Sequence, residues 1–125
     1  MVVKNIQSAE AMITEQRQYF YTGETKEVAF RKQQLLKLKE TIIKYEKEVI
    51  QALYNDLHKS EFEAYATEVG LVLESLGVMI KKVEDWAKPV PAKTPIQFQP
   101  SKSFIVRDPY GVVCIIAPFN YPFQL

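Results

Sequence analysis

The chain has 125 residues, enough for one domain, with 16 Lys and Arg against 15 Asp and Glu and a formal net charge of +1. The opposing charges interleave along the chain, which argues against nucleic acid or an anionic membrane surface as a partner. One cysteine, Cys114, and one histidine, His58, exclude an internal disulfide and a self-contained metal site, and no apolar run reaches the roughly 18 residues that a bilayer span requires.

Residues 1–10 hold no apolar stretch of signal-peptide length, so a soluble cytoplasmic protein is expected. Ile6, Ala9, Ile13 and Phe20 recur at mostly helical spacing and Gly23 supplies a stop, which predicts a first helix. After Thr25, a candidate N-cap, the positions Leu35, Leu38, Ile42, Tyr45, Val49 and Ala52 step by threes and fours. Leu36, Ile43, Ile50 and Leu53 widen the stripe, and one long amphipathic helix is predicted. Ser60 followed by Glu63 forms a capping box for a third helix. That helix carries Phe62, Tyr65, Val69, Val72, Leu76, Met79, Val83 and Trp86 along one apolar face. The two long helices should pack antiparallel, with Lys81, Lys82, Glu84 and Asp85 on a solvated side.

Pro89, Pro91 and Pro95 end the helical pattern, because each removes a backbone donor and fixes its own φ. Ile96 and Phe98, then Phe104 and Val106, alternate with polar neighbours around residues 100–102, which predicts a β-hairpin within residues 94–106. Asp108, Pro109, Tyr110 and Gly111 fit a type I turn. Residues 112–117 form a continuous β-branched run, as in a strand of a parallel sheet covered on both faces. Pro118, Phe119, Asn120, Tyr121 and Pro122 come directly after it.

Asn120 and Tyr121 are polar groups at the carboxyl end of that strand, where α/β sheets place their ligands. The Asn120 amide could hold a developing oxyanion, although on the residues alone the favoured reading is that it caps the helix that Pro122 opens. Cys114, in the middle of the strand, reads as a desolvated packing residue and not as a nucleophile. His58 reads as a surface or capping residue between two helices.

The segment DPYGVVCIIAPFNYPFQL, residues 108–125, resembles the aldehyde dehydrogenase signature, in which a Pro-x-Gly turn leads through a buried strand to a Pro-Trp-Asn-aromatic-Pro run. Upstream, FRKQQLLKLKETI and DLHKSEFEAYATEVG resemble the class 3 branch of that family. The resemblance implies an α/β fold: a helical region over residues 1–88, a β-hairpin of the oligomerisation element over 89–108, and the first strand of a Rossmann-like parallel sheet within 109–125. It implies an enzyme that uses NAD or NADP to oxidise aldehydes, aliphatic or aromatic and of medium to long chain, to carboxylic acids. The reaction would pass through a thiohemiacetal and a thioester on cysteine, in a homodimer when full length.

By the same resemblance Asn120 is the catalytic oxyanion donor, Ile116, Ala117, Pro118 and Phe119 border the cofactor, and Tyr121 borders the substrate. Phe119 stands where the family usually has Trp, which keeps an aromatic wall and loses the indole donor. The family's Gly-rich turn, general-base glutamate and nucleophilic cysteine lie downstream of the matched segment, so the 125 residues alone are expected to be an inactive N-terminal part. The alternative is a stand-alone helical interaction module, which would have no use for a buried strand leading into an Asn-aromatic-Pro turn.

Overall fold

A computed structural model describes residues 8–125, so the proposed helical role of Ile6 lies outside the described residues. Helix α1 spans Ala9–Tyr21 and starts at Ser8, whose hydroxyl accepts from the Ala11 amide at 3.2 Å. Gly23 ends it in the left-handed region, φ 82°, with its N–H donating to the Phe20 carbonyl. A 3-10 turn, Glu24–Lys26, takes up the stretch where Thr25 was expected to cap the next helix. That turn's own hydrogen bonds, from Lys26 N–H to Gly23 O and from Glu27 N–H to Glu24 O, keep the chain out of the α conformation there. Helix α2, Val28–Lys44, therefore begins after Glu27.

The stripe predicted as one long helix is divided at Tyr45, φ −105° and ψ 18°, into α2 and α3, Glu46–Leu57. Thr41 Oγ1 bonds the Lys37 carbonyl at 2.8 Å one turn before the break, a back-bond that bends helices. The hydrophobic spacing survives because Tyr45 still donates to Thr41 O and Val49 to Tyr45 O. His58 closes α3 in the left-handed region, φ 56°, donating to Tyr54 O, so it is an exposed capping residue as expected.

Ser60 caps the next helix by accepting from the Glu63 amide at 3.2 Å. The third predicted helix has an interruption that its regular spacing conceals: α4, Glu61–Ala64, passes into a π turn, Tyr65–Val69, and then into α5, Gly70–Trp86. Gly70 N–H reaches back to the Tyr65 carbonyl, closing the wide turn. A side chain at position 70 would place its Cβ 2.9 Å from that carbonyl oxygen, and a backbone atom cannot swing aside. Gly77, within α5, has open space around its would-be Cβ. The same substitution should therefore act with opposite sign at the two sites. Gly77→Ala should stabilise by up to about 1 kcal/mol from helix propensity. Gly70→Ala should destabilise, because overpacking costs about 1–3 kcal/mol and offsets that gain. Thermal melts of the two variants against the parent check this, and a stabilised Gly70→Ala would refute the π-turn account.

Helices α2 and α5 pack antiparallel: Lys32 meets Glu84 at 2.6 Å at one end, and Ile42 packs with Val69 and Leu76 at the other. These three residues are the buried centre, flanked by Leu35, Val49, Ile50, Val72, Leu73 and, from far along the chain, Phe123. The apolar face expected on the third helix is covered only in its middle. Phe62 is 82% exposed, and Trp86 and Met79 are also exposed. At the end of α5 the Lys88 ammonium hydrogen-bonds Asp85 and holds its carboxyl below the usual carboxylate range.

The hairpin is present with a different first strand. Strand β1, Val90–Ala92, pairs antiparallel with β2, Ser103–Ile105, matching Val90 to Ile105 and Ala92 to Ser103. Residues Ile96–Phe98 form a 3-10 turn, and their amides are committed locally: Phe98 N–H to Pro95 O and Gln99 N–H to Ile96 O. Thr94 fixes the register, since its hydroxyl accepts from Ser103 N–H and donates to Ser103 Oγ, both at 2.9 Å. No hydrogen-bonded turn forms at residues 108–111. Gly111, φ 95°, instead bends the backbone against the Phe20 ring, leaving 3.4 Å for a Cβ.

Residues 112–117 run without a strand partner among the described residues, so they form neither a strand nor the opening of a parallel sheet within this chain. Cys114, expected to be desolvated, is exposed: helix α1 shelters only the start of the segment, leaving Val112 half-buried and residues 113–117 exposed. No helix is long and apolar enough to cross a membrane among the described residues.

Candidate functional site

The chain's one buried ion pair among the described residues lies where the helices meet the segment around Asn120. Lys59 stands in the short connection between α3 and α4, directly before the Ser60 cap. Glu68 sits inside the π turn and is 0% exposed. Their side chains meet, Nζ to Oε1, at 2.5 Å. Burying both charges is tolerable only when the remaining donors and acceptors also find partners.

Those partners come from residues 120–123. Lys59 Nζ donates to the Asn120 main-chain carbonyl at 3.1 Å and lies 4.0 Å from the centre of the Tyr121 ring, a cation–π contact. The second carboxylate oxygen of Glu68 accepts from the Phe123 amide at 2.8 Å. Leu125 N–H then bonds Tyr121 O, making a single helical turn in which Phe123 is an early amide without an internal acceptor. Glu68 thus does for this turn what an N-cap does, but from a distant helix. Phe123 reinforces the attachment by packing on the helical core.

The turn clarifies the two roles left open for Asn120. Its carbonyl is engaged by Lys59, the first free amide of the turn is taken by Glu68, and its side chain is exposed and makes no hydrogen bond among the described residues. An amide in that state is available to a ligand. Its two N–H donors suit an oxygen that gains negative charge. Tyr121 is brought against Lys59. Ile116, Ala117, Pro118 and Phe119 stand together on the exposed stretch before Asn120, with Ile116 92% and Phe119 88% exposed. Together they form an uncharged, exposed apolar stretch.

The sequence singled out Asn120 and its neighbours but not Lys59 and Glu68, the buried pair that holds their backbone. One signal was available. Position 68 lies three residues after Tyr65 and four before Val72, on the apolar seam itself, and an acid placed there must either be paired or face outward.

The family model described as "Aldehyde dehydrogenase family" matches residues 3–125. A 4,4'-diaponeurosporen-aldehyde dehydrogenase of Staphylococcus aureus (strain NCTC 8325 / PS 47) is 47% identical over 116 residues, covering 93% of this chain and 25% of its own length. A dimeric NADP-preferring aldehyde dehydrogenase of Canis lupus familiaris is 43% identical over 109 residues, covering 87% of this chain and 24% of its own. Among solved structures, the substrate-bound state of Staphylococcus aureus AldH matches with a TM-score of 0.91 at 44% identity, over 95% of this chain and 26% of that one. The chain spans about a quarter of the length of the relatives it matches.

Proposed function

Because the chain belongs to the aldehyde dehydrogenase family, we propose that it forms the N-terminal part of an enzyme that oxidises aldehydes to carboxylic acids with NAD or NADP. The observation that carries the reading is the state of Asn120, held through its own backbone while its side-chain amide stays exposed and uncommitted.

In this reading Asn120 donates an N–H to the aldehyde oxygen as a cysteine thiolate from the rest of the protein adds to the carbonyl carbon and negative charge builds up. A donor already in place when the charge appears lowers the barrier by about 2.7–4 kcal/mol. The resulting thiohemiacetal is oxidised to a thioester that water hydrolyses. NAD(P), when bound, supplies the hydride acceptor. Ile116, Ala117, Pro118 and Phe119 form the apolar border against which the cofactor packs, and Tyr121 borders the aldehyde.

Residues 112–117 become the first strand of the Rossmann-like sheet, which accounts for so β-branched a segment standing unpaired and, from 113 on, exposed. The helical region is residues 1–88, the hairpin region 89–108 contributes to the oligomerisation element of a homodimer, and the dinucleotide-binding domain begins at 109. The dog relative, named dimeric and NADP-preferring, supports the dimer and the use of NAD(P). We assign the enzyme to the cytoplasm.

The test is direct. The full-length protein, given aliphatic and aromatic aldehydes with NAD or NADP, should accumulate reduced cofactor in step with the carboxylic acid. Absence of aldehyde-dependent reduction with either cofactor would overturn the assignment.

A further inference from the structure

We propose that Lys59 and Glu68 are positioning residues of the reaction: the buried pair holds the peptide carrying Asn120 so that its amide meets the oxyanion. The inference rests on the reading of Asn120 as the oxyanion donor.

A side chain on an exposed segment has no orientation of its own, because the apolar stretch before it is held by nothing among the described residues. Order must enter from the other side of Asn120, and it does so at three points. Lys59 fixes the Asn120 carbonyl, Glu68 fixes the Phe123 amide, and the Tyr121 ring lies against the ammonium between them. The two hydrogen bonds bracket residues 121 and 122, and Pro122 stiffens what lies between by fixing its own φ.

Stability alone does not call for such an arrangement. A buried ion pair is commonly no better for folding than two apolar side chains of similar volume. What an apolar pair lacks is a donor for one end of the turn and an acceptor for the other. The π turn serves the same end, since it is the element from which Glu68 reaches the Phe123 amide, and π turns recur at functional sites.

The experiment uses the full-length enzyme and replaces both partners, as Lys59→Met with Glu68→Met, so that no unpaired charge is buried. The melting temperature should stay close to the parent's, and the NAD(P) dissociation constant should barely change. kcat should fall by roughly 10- to 100-fold, the scale that a displacement of about 1 Å can cost. The same pair of substitutions made on an Asn120→Ala enzyme should leave its kcat unchanged, because the group to be positioned is gone.

Two results overturn the inference while leaving Asn120 in its role: parent-like kcat in the Met variant when Asn120→Ala is crippled, and an equal loss on both backgrounds. An Asn120→Ala enzyme with normal turnover removes the reading beneath it and is recognised by that result alone. If the Met pair does not fold, Lys59→Met with Glu68→Gln buries no charge and keeps an acceptor for Phe123. With only the hold on the Asn120 carbonyl removed, kcat should fall by less on the parent background and again stay unchanged on Asn120→Ala.

Discussion

Replacing Asn120 by Ala in the full-length enzyme is expected to lower kcat by roughly 10² to 10³, the effect of deleting one preorganised oxyanion donor. The interaction is made as charge develops, so kcat and kcat/KM should fall together while NAD(P) affinity is nearly unaffected. Stability should hardly move. The helical turn after Asn120 is capped by Glu68, and the Asn120 side chain has no hydrogen bond to lose among the described residues. An exposed substitution of this kind is usually within about 0.5 kcal/mol of neutral.

Asn120→Asp is the sharper variant. It keeps the shape of the side chain, replaces the donor with an acceptor, and sets a negative charge against the developing oxyanion. The expectation is a well-folded enzyme with little turnover. Steady-state kinetics together with a thermal melt decide the matter, and an Asp variant with parent-like kcat would refute the catalytic assignment.

Glu68→Leu is expected to be the most destabilising single change in the region. It leaves the Lys59 ammonium buried without its counter-charge and the Phe123 amide without an acceptor. Breaking one side of a buried pair costs about 3–5 kcal/mol, a large part of the roughly 5–15 kcal/mol that holds a domain together. Adding Lys59→Met should recover most of that loss, because the stranded charge goes with it. Denaturant titration of the parent, the single variant and the double variant measures the recovery. A Glu68→Leu variant as stable as the parent would mean that the carboxylate does not anchor the turn.

What could be read from the sequence depends on the range over which each signal acts. The helices were legible because periodicity, the Ser60 cap and the Gly23 stop act within a turn or two of the residues that carry them. The breaks inside them were not. At Tyr45 the hydrogen-bond register carries across the break, and the π turn leaves the spacing of Tyr65, Val69 and Val72 undisturbed. The hairpin was recognised from alternation, but its first strand was misplaced. Its register depends on Thr94 meeting Ser103, a side-chain contact that alternation does not encode. Residues 112–117 have the composition of a covered strand, yet 113–117 are exposed here, because a strand needs neighbours as well as propensity.

The site divides in the same way. Asn120 and Tyr121 were singled out by a local motif. Their supports, Lys59 and Glu68, come from a segment whose link to them exists only after folding. The acid on the apolar seam at position 68 was the one local hint, and it gave no indication of which distant amide the carboxylate would meet.

The spacing of these contacts along the chain also sets an order of events. Lys59 and Glu68 are 9 residues apart, so their pairing closes a short loop within the helical region. The bonds from this pair to residues 120–123 span 61 and 55 residues, and they join a segment that forms almost no structure of its own. During synthesis the helical scaffold can therefore assemble early, with both charges still hydrated, and the turn that carries Asn120 arrives as a late guest at a finished berth. The same asymmetry holds in reverse: the two bonds that hold residues 120–123 can open while the contacts within the helices beneath them persist.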